Sequence, residues 1–169
     1  MKKSRKNHFK GERGITIYIA VTVTAALVLV AFAVIDYALK QVGISSVAKD
    51  SQIAFYAADS GIECALYWDL RNTGQSTFGT STPELDITCN NKSAHIYKIN
   101  NGSAGTSTFA FDFSTSDTSC VAVTVAKRFV GQNINTKIES RGYNVGTASG
   151  STCTGASTRK VERAIEVTY

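Results

Sequence analysis

Few residues in this 169-residue chain have chemistry to offer: four cysteines, two histidines and one close pair of carboxylates. Zinc sites favour paired C-x-x-C spacing or clustered histidines. Cys64, Cys89, Cys120 and Cys153 are too widely spaced for the first, and His8 and His95 are too few for the second. Four cysteines allow three disulfide connectivities. His95 stands in the run His95-Ile96-Tyr97-Lys98-Ile99, which reads as an edge strand, and a lone histidine there reads as structural. Asp59 and Glu63 are four residues apart, one helical turn, on one face. That spacing reads as a solvated face, or as partners for Lys160 or Arg163, rather than as an acid–base pair. Gly142-Tyr143-Asn144-Val145-Gly146 and Gly102-Ser103-Ala104-Gly105 read as turns, since neither has the context of a phosphate-binding loop. The expectation is a protein with no catalytic residue, no metal and no cofactor, hence not an enzyme.

Charge and hydropathy are unevenly placed. Of the 18 basic and 13 acidic residues, six and one fall in Met1–Gly14, which leaves twelve of each in the rest. The net charge of +5 therefore belongs to the N-terminus. The remainder lacks the basic excess of a nucleic-acid binder, and Lys127-Arg128 and Arg159-Lys160 read as solvated strand ends. From Ile15 to Ile35 there is no charged residue. At 1.5 Å per residue this stretch is long enough, as a helix, to cross about 30 Å of hydrocarbon.

Three readings of that segment compete. A cleaved secretory signal would use Ala31-Phe32-Ala33 as its small-residue cut site, but its apolar core would exceed the usual 7–15 residues. A retained anchor would keep the basic N-terminus in the cytoplasm and place the body outside. That anchor would carry a signal-anchored binding domain that does not polymerise. The third reading adds a cut at Gly14 and keeps the helix.

The residues resemble the type IV prepilin family. Lys10-Gly11-Glu12-Arg13-Gly14 directly before Ile15-Thr16-Ile17 is similar to a prepilin leader. The segment from Gln52 to Leu66, with its Phe-Tyr-Ala-Ala-Asp-Ser-Gly core at Phe55–Gly61, resembles the end of the N-terminal region in PilX-like minor pilins. The likeness covers residues 10–70. It implies that a prepilin peptidase cuts between Gly14 and Ile15 and that Ile15 is then N-methylated. It also implies a subunit stored in the cytoplasmic membrane, body outside, which an assembly machinery moves into a cell-surface filament with other pilin subunits. Ile19 stands where major pilins usually carry glutamate, so the likeness is to a minor pilin or pseudopilin rather than to a main filament subunit.

The elements that position these residues follow from pattern. No proline interrupts Ile15 to Leu70, so one long helix is expected, with Gly43 as a possible kink. After Asp36 it turns amphipathic, with Ala54, Ala58, Ile62, Ala65 and Leu66 at spacings of three and four. Alternating runs at 109–113, 120–126, 136–143 and 161–169 read as antiparallel strands, joined at Gly131-Gln132-Asn133 by a turn. A hairpin of 120–127 with 135–143 puts Cys120 near Gly142. Cys153 lies in the loop that leads to the last strand, within reach of Cys120, which leaves Cys64 to pair with Cys89. The fold expected is α+β: a long helix, its apolar half protruding, packed on a small antiparallel sheet. Three parts follow: leader 1–14, membrane and assembly segment 15–38, and extracytoplasmic domain 39–169.

Overall fold

A computed structural model describes residues 13–71, 76–79, 81–101, 104–113, 119–155 and 157–169. The leader residues Met1–Glu12, and Gly102-Ser103 of one expected turn, lie outside the described residues. The fold is α+β, with one long helix followed by antiparallel strands. Helix α1 spans Arg13–Leu70 and runs through Gly43 without a break in its assignment. By internal contacts the chain forms two units, one ending at Ser46 and the other Val47–Tyr169. In the first unit every described residue from Ile15 to Ser45 is exposed.

The second unit is built on a five-stranded antiparallel sheet, β3-β4-β5-β6-β9. Its strands are β3 (Tyr97–Asn101), β4 (Ala104–Asp112), β5 (Cys120–Val130), β6 (Asn133–Tyr143) and β9 (Glu162–Thr168). Strands β5 and β6 form the hairpin expected from the sequence, with Val121 opposite Gly142 and Val130 opposite Asn133. Strand side chains alternate between faces. One face carries Phe109, Phe111, Val121, Val123, Val125 and Ile138, all buried. Phe78 stacks on Phe109 at 5.8 Å between ring centroids.

The C-terminal part of α1 covers that face through small residues. Ala54, Ala57, Ala58, Gly61, Ile62 and Ala65 are buried. Two glycines set the approach distance. A Cβ on Gly142 would press into the Ala54 carbonyl, the Ala58 amide and the Ala57 methyl. A Cβ on Gly61 would press into Ser140, Val121 and Val123. Gly142 and Tyr143 are therefore strand residues, not part of a turn as their sequence suggested. The strand needs a glycine here because the helix backbone occupies the space a side chain would fill.

Two small hairpins complete the unit. Strands β1 (Asp86–Cys89) and β2 (Lys92–His95) are joined by Asn90-Asn91, whose φ values of 49° and 60° suit a type I′ turn. The expected edge strand over 95–99 thus divides at Ile96: His95 ends β2 and Tyr97 begins β3. Strands β7 (Thr147–Ser149) and β8 (Thr152–Thr154) pack near β4 and β5. There the Ala148 amide donates to Asp112 Oδ1 at 2.5 Å.

The tight seam makes a direct prediction. Gly142→Ala forces backbone against backbone, so it should cost about 1–3 kcal/mol, the range of overpacked sites. Gly43, which has open space around its Cβ position, is the control. Thermal unfolding of both variants reads the difference: Gly142→Ala lowers the midpoint, while Gly43→Ala leaves it unchanged or raises it.

Candidate functional site

The apolar surface of α1 in the first unit is exposed along its described length. Ile17, Val21, Leu29, Phe32 and Val34 are among its exposed residues, Leu29 at 71%. Water contact with so continuous an apolar surface is unfavourable, and monomeric soluble proteins rarely present one. The helix has the length and composition to cross a membrane, and none of its most apolar window is buried inside the protein. A signal sequence shares those properties.

Its polar groups suit an apolar surrounding. Thr22 Oγ1 donates to the Ile19 carbonyl at 3.0 Å, and Thr24 Oγ1 to the Ala20 carbonyl at 2.9 Å. A hydroxyl bonded to its own helix brings no unpaired donor into hydrocarbon. Polar residues return at the end of the run, at Asp36, Tyr37, Lys40 and Gln41, where Gln41 Nε2 donates to the Tyr37 hydroxyl at 2.6 Å. An aromatic beside polar groups is common where a helix leaves the hydrocarbon. Ala31-Phe32-Ala33 lies well inside the helix, whereas the peptide bond between Gly14 and Ile15 lies in its first turn.

The second unit holds its end of α1 in place covalently. Cys64 is bonded to Cys89, with Cα atoms 5.8 Å apart, and Trp68 Nε1 donates to the Thr88 carbonyl at 3.1 Å. Cys120 is bonded to Cys153, with Cα atoms 5.9 Å apart, which fastens the β7–β8 hairpin to the start of β5. Both pairings are those expected from strand geometry.

Other expectations change. Lys127 is not a solvated strand end. Its Nζ is buried, 2.7 Å from Asp69 Oδ2, and donates to Thr136 Oγ1 at 3.1 Å. The cause is the helix end: Asp69 sits in the last turn, where its charge opposes the helix dipole and no basic residue of the helix offsets it. The Tyr169 hydroxyl also donates to Asp69 Oδ2 at 2.6 Å, and Ser76 Oγ donates to Oδ1. Burial pushes the Asp69 carboxyl up. The bonds from Lys127, Ser76 and Tyr169 more than offset this and hold it below the usual carboxylate range. Burial and the same carboxylate push the Tyr169 hydroxyl far up, so it stays a donor.

Asp59 and Glu63 are exposed and reach neither Lys160 nor Arg163. Arg163 Nε donates to Ser51 Oγ at 2.9 Å, and the Lys160 ammonium lies over the Tyr143 ring. The neighbouring Arg159 pairs with Asp50 at 3.1 Å. His95 is exposed, with Nδ1 2.6 Å from Asp86 Oδ1 and Nε2 3.6 Å from Glu84 Oε2. The Asp86 bond, helped by Glu84, raises its pKa above the ordinary imidazole value. The ammonium of Lys98 fills a nest of oxygens, with the carbonyls of Thr77 at 2.8 Å and Thr82 at 3.1 Å. Among the described residues no three His, Cys, Asp or Glu side chains lie close enough together to hold a metal.

Sequence reading missed the Asp69–Lys127 pair because its partners are 58 residues apart, and no local pattern marks a basic residue as buried. Compared with protein-family models, curated proteins and solved structures, the chain finds no match.

The buried pair has two consequences. Lys127→Met strands the Asp69 charge and should cost about 3–5 kcal/mol. The double variant Asp69→Asn/Lys127→Met should recover part of that loss. Because the folded pKa of Asp69 is depressed, its contribution is present above the unfolded value of about 3.9 and is lost as pH falls through the folded value. Denaturant titrations at neutral pH and in steps below pH 4 should show both effects. Equal stability of wild type and Lys127→Met at neutral pH would contradict the assignment.

Proposed function

We propose that this chain is a minor type IV pilin or pseudopilin, a structural filament subunit and not an enzyme. In this reading the basic leader holds the N-terminus in the cytoplasm, and a prepilin peptidase cuts after Gly14. Ile15 becomes the N-methylated first residue, and the apolar helix stays on the mature chain. The observation that carries the proposal is the uncharged, fully exposed stretch Ile15–Ile35, which belongs to the same assigned helix as the residues that pack on the sheet. An ordinary signal sequence has no reason to share its helix with the core of the domain it delivers.

The mechanism has two states. Lipid surrounds the apolar stretch in storage, and in a filament other anchors do. Lipid tails are as apolar as leucine, so exchange between these states is driven by helix packing rather than by water exclusion. Removal of Met1–Gly14 takes five net positive charges from the cytoplasmic end. That lowers the electrostatic penalty for drawing the helix out. The two disulfides fit an extracytoplasmic domain, where such bonds persist. Partners in this reading are sister pilin subunits, the peptidase, the membrane and an assembly machine.

The mass of the mature N-terminal peptide separates the competing readings. A pilin starts at methylated Ile15, a plain signal anchor at Met1 and a secreted domain at Val34. Gly14→Leu should leave the leader attached and keep the protein in the membrane. Leu29→Lys, a charge in mid-anchor, costs about 2.5–3.5 kcal/mol on insertion scales. It should reduce insertion or assembly, while both disulfides still form in the chains that do insert. A native mature chain that starts at Met1 or Val34 rejects the proposal.

A further inference from the structure

We infer that Glu84 is a strap across one edge of the five-stranded sheet and that His95 is its proton-operated clip. The charged imidazole holds the strap on β3, and the neutral one lets it go. The inference goes beyond the filament reading and does not depend on it.

Strand β3 is an edge of the sheet, and Tyr97 and Ile99 in it are exposed. Edge strands leave backbone groups without a partner strand. Here the residues just before β1 take them. The Ile96 amide, at the entry to β3, donates to the Leu85 carbonyl at 3.0 Å. The Lys98 amide donates to Glu84 Oε1 at 3.0 Å. The first bond is backbone to backbone. The second depends on where one carboxylate points.

His95 controls that carboxylate. Its Nδ1 is 2.6 Å from Asp86 Oδ1, and its Nε2 is 3.6 Å from Glu84 Oε2. One oxygen of Glu84 therefore serves the β3 amide while the other faces the imidazole. The groups around the ring come from every neighbouring element. Asp86 belongs to β1, and Glu84 to the segment before it. Tyr97 of β3 meets the ring edge-on, with centroids 4.8 Å apart. The Tyr97 hydroxyl lies in turn by Gly150 of the β7–β8 turn, which brings no charge. The Lys98 ammonium also attracts Glu84, but it is held by the carbonyls of Thr77 and Thr82.

Only the imidazolium has two N–H donors. Charged, His95 bonds Asp86 and attracts Glu84. Neutral, it keeps one N–H, which stays on the shorter contact with Asp86. Nε2 then turns a lone pair toward the Glu84 carboxylate, and attraction becomes repulsion. Glu84 leaves, and the Lys98 amide becomes an unpaired edge donor. The Asp86 bond, with help from Glu84, raises the His95 pKa above its ordinary value. The clip is thus fully present below the unfolded value of about 6.5 and is lost as pH rises through the folded value.

The test uses the full chain in non-ionic detergent and reads solvent exchange of the Lys98 amide by NMR. Each rate is divided by the unfolded-chain rate at the same pH, which leaves the protection given by the strap. Protection should fall about threefold or more as His95 titrates, while the Val123 amide in the sheet centre keeps its own. His95→Gln, which cannot titrate, should abolish the pH dependence. Glu84→Gln should lower the titration midpoint of His95, because it removes one of the two charges. A Lys98 amide equally protected, or equally unprotected, on both sides of the His95 titration would overturn the inference. So would the same fall in His95→Gln, or a midpoint that Glu84→Gln leaves unmoved.

Discussion

The structure depends on how closely α1 lies to its sheet. Helix and strand backbones usually stand apart by the thickness of two side chains. At Gly142 the strand gives up its side chain, and on the helix Ala54, Ala57 and Ala58 offer only methyl groups. At Gly61 the roles reverse, and the helix gives way to Val121, Val123 and Ser140. Ser140 Oγ is the one buried side-chain polar atom without a partner among the described residues, and it lies under Gly61. Close packing there leaves a hydroxyl no room to turn toward water.

This seam explains why one helix can serve two environments. Its faces in the second unit are divided: small residues go to the sheet, and Phe55, Tyr56, Asp59 and Glu63 go outward. From Ile15 to Ile35 no such division exists, because every side is uncharged, mostly apolar and exposed. A helix apolar all round needs lipid or other helices on all sides, whereas a helix with a small-residue stripe needs one close partner. The change falls near Ser46 and Val47, eight residues beyond the boundary suggested by hydropathy alone. Hydropathy marks where charges begin at Asp36. Packing marks where contacts with the sheet begin, at Asp50 and Ser51, which Arg159 and Arg163 hold.

Much of this was legible from pattern. Alternation placed β4, β5, β6 and β9, and the β5–β6 register then placed Cys120 beside the loop that holds Cys153. What was not legible has a common cause. The β1–β2 and β7–β8 hairpins use three- and four-residue strands, too short for alternation to register. Gly142 looked like a turn because sequence shows a glycine's freedom, not the helix that needs its missing side chain. Lys127 looked solvated because its partner Asp69 lies at the far end of a helix whose docking had first to be known. The helix resembled a prepilin anchor in its residues, and the geometry adds the domain that this anchor would carry.

The central claim is that folding resides in Val47–Tyr169, which leaves the apolar residues before Val47 to the membrane and assembly roles proposed for them. The most direct measurement is size-exclusion chromatography with thermal unfolding of a chain beginning at Val47. The account predicts a soluble monomer with both disulfides and one cooperative transition, because the seam from Ala54 to Ala65 is complete within it. A fragment that precipitates, or that unfolds without cooperativity, would contradict it and show that the earlier part of the helix belongs to the core.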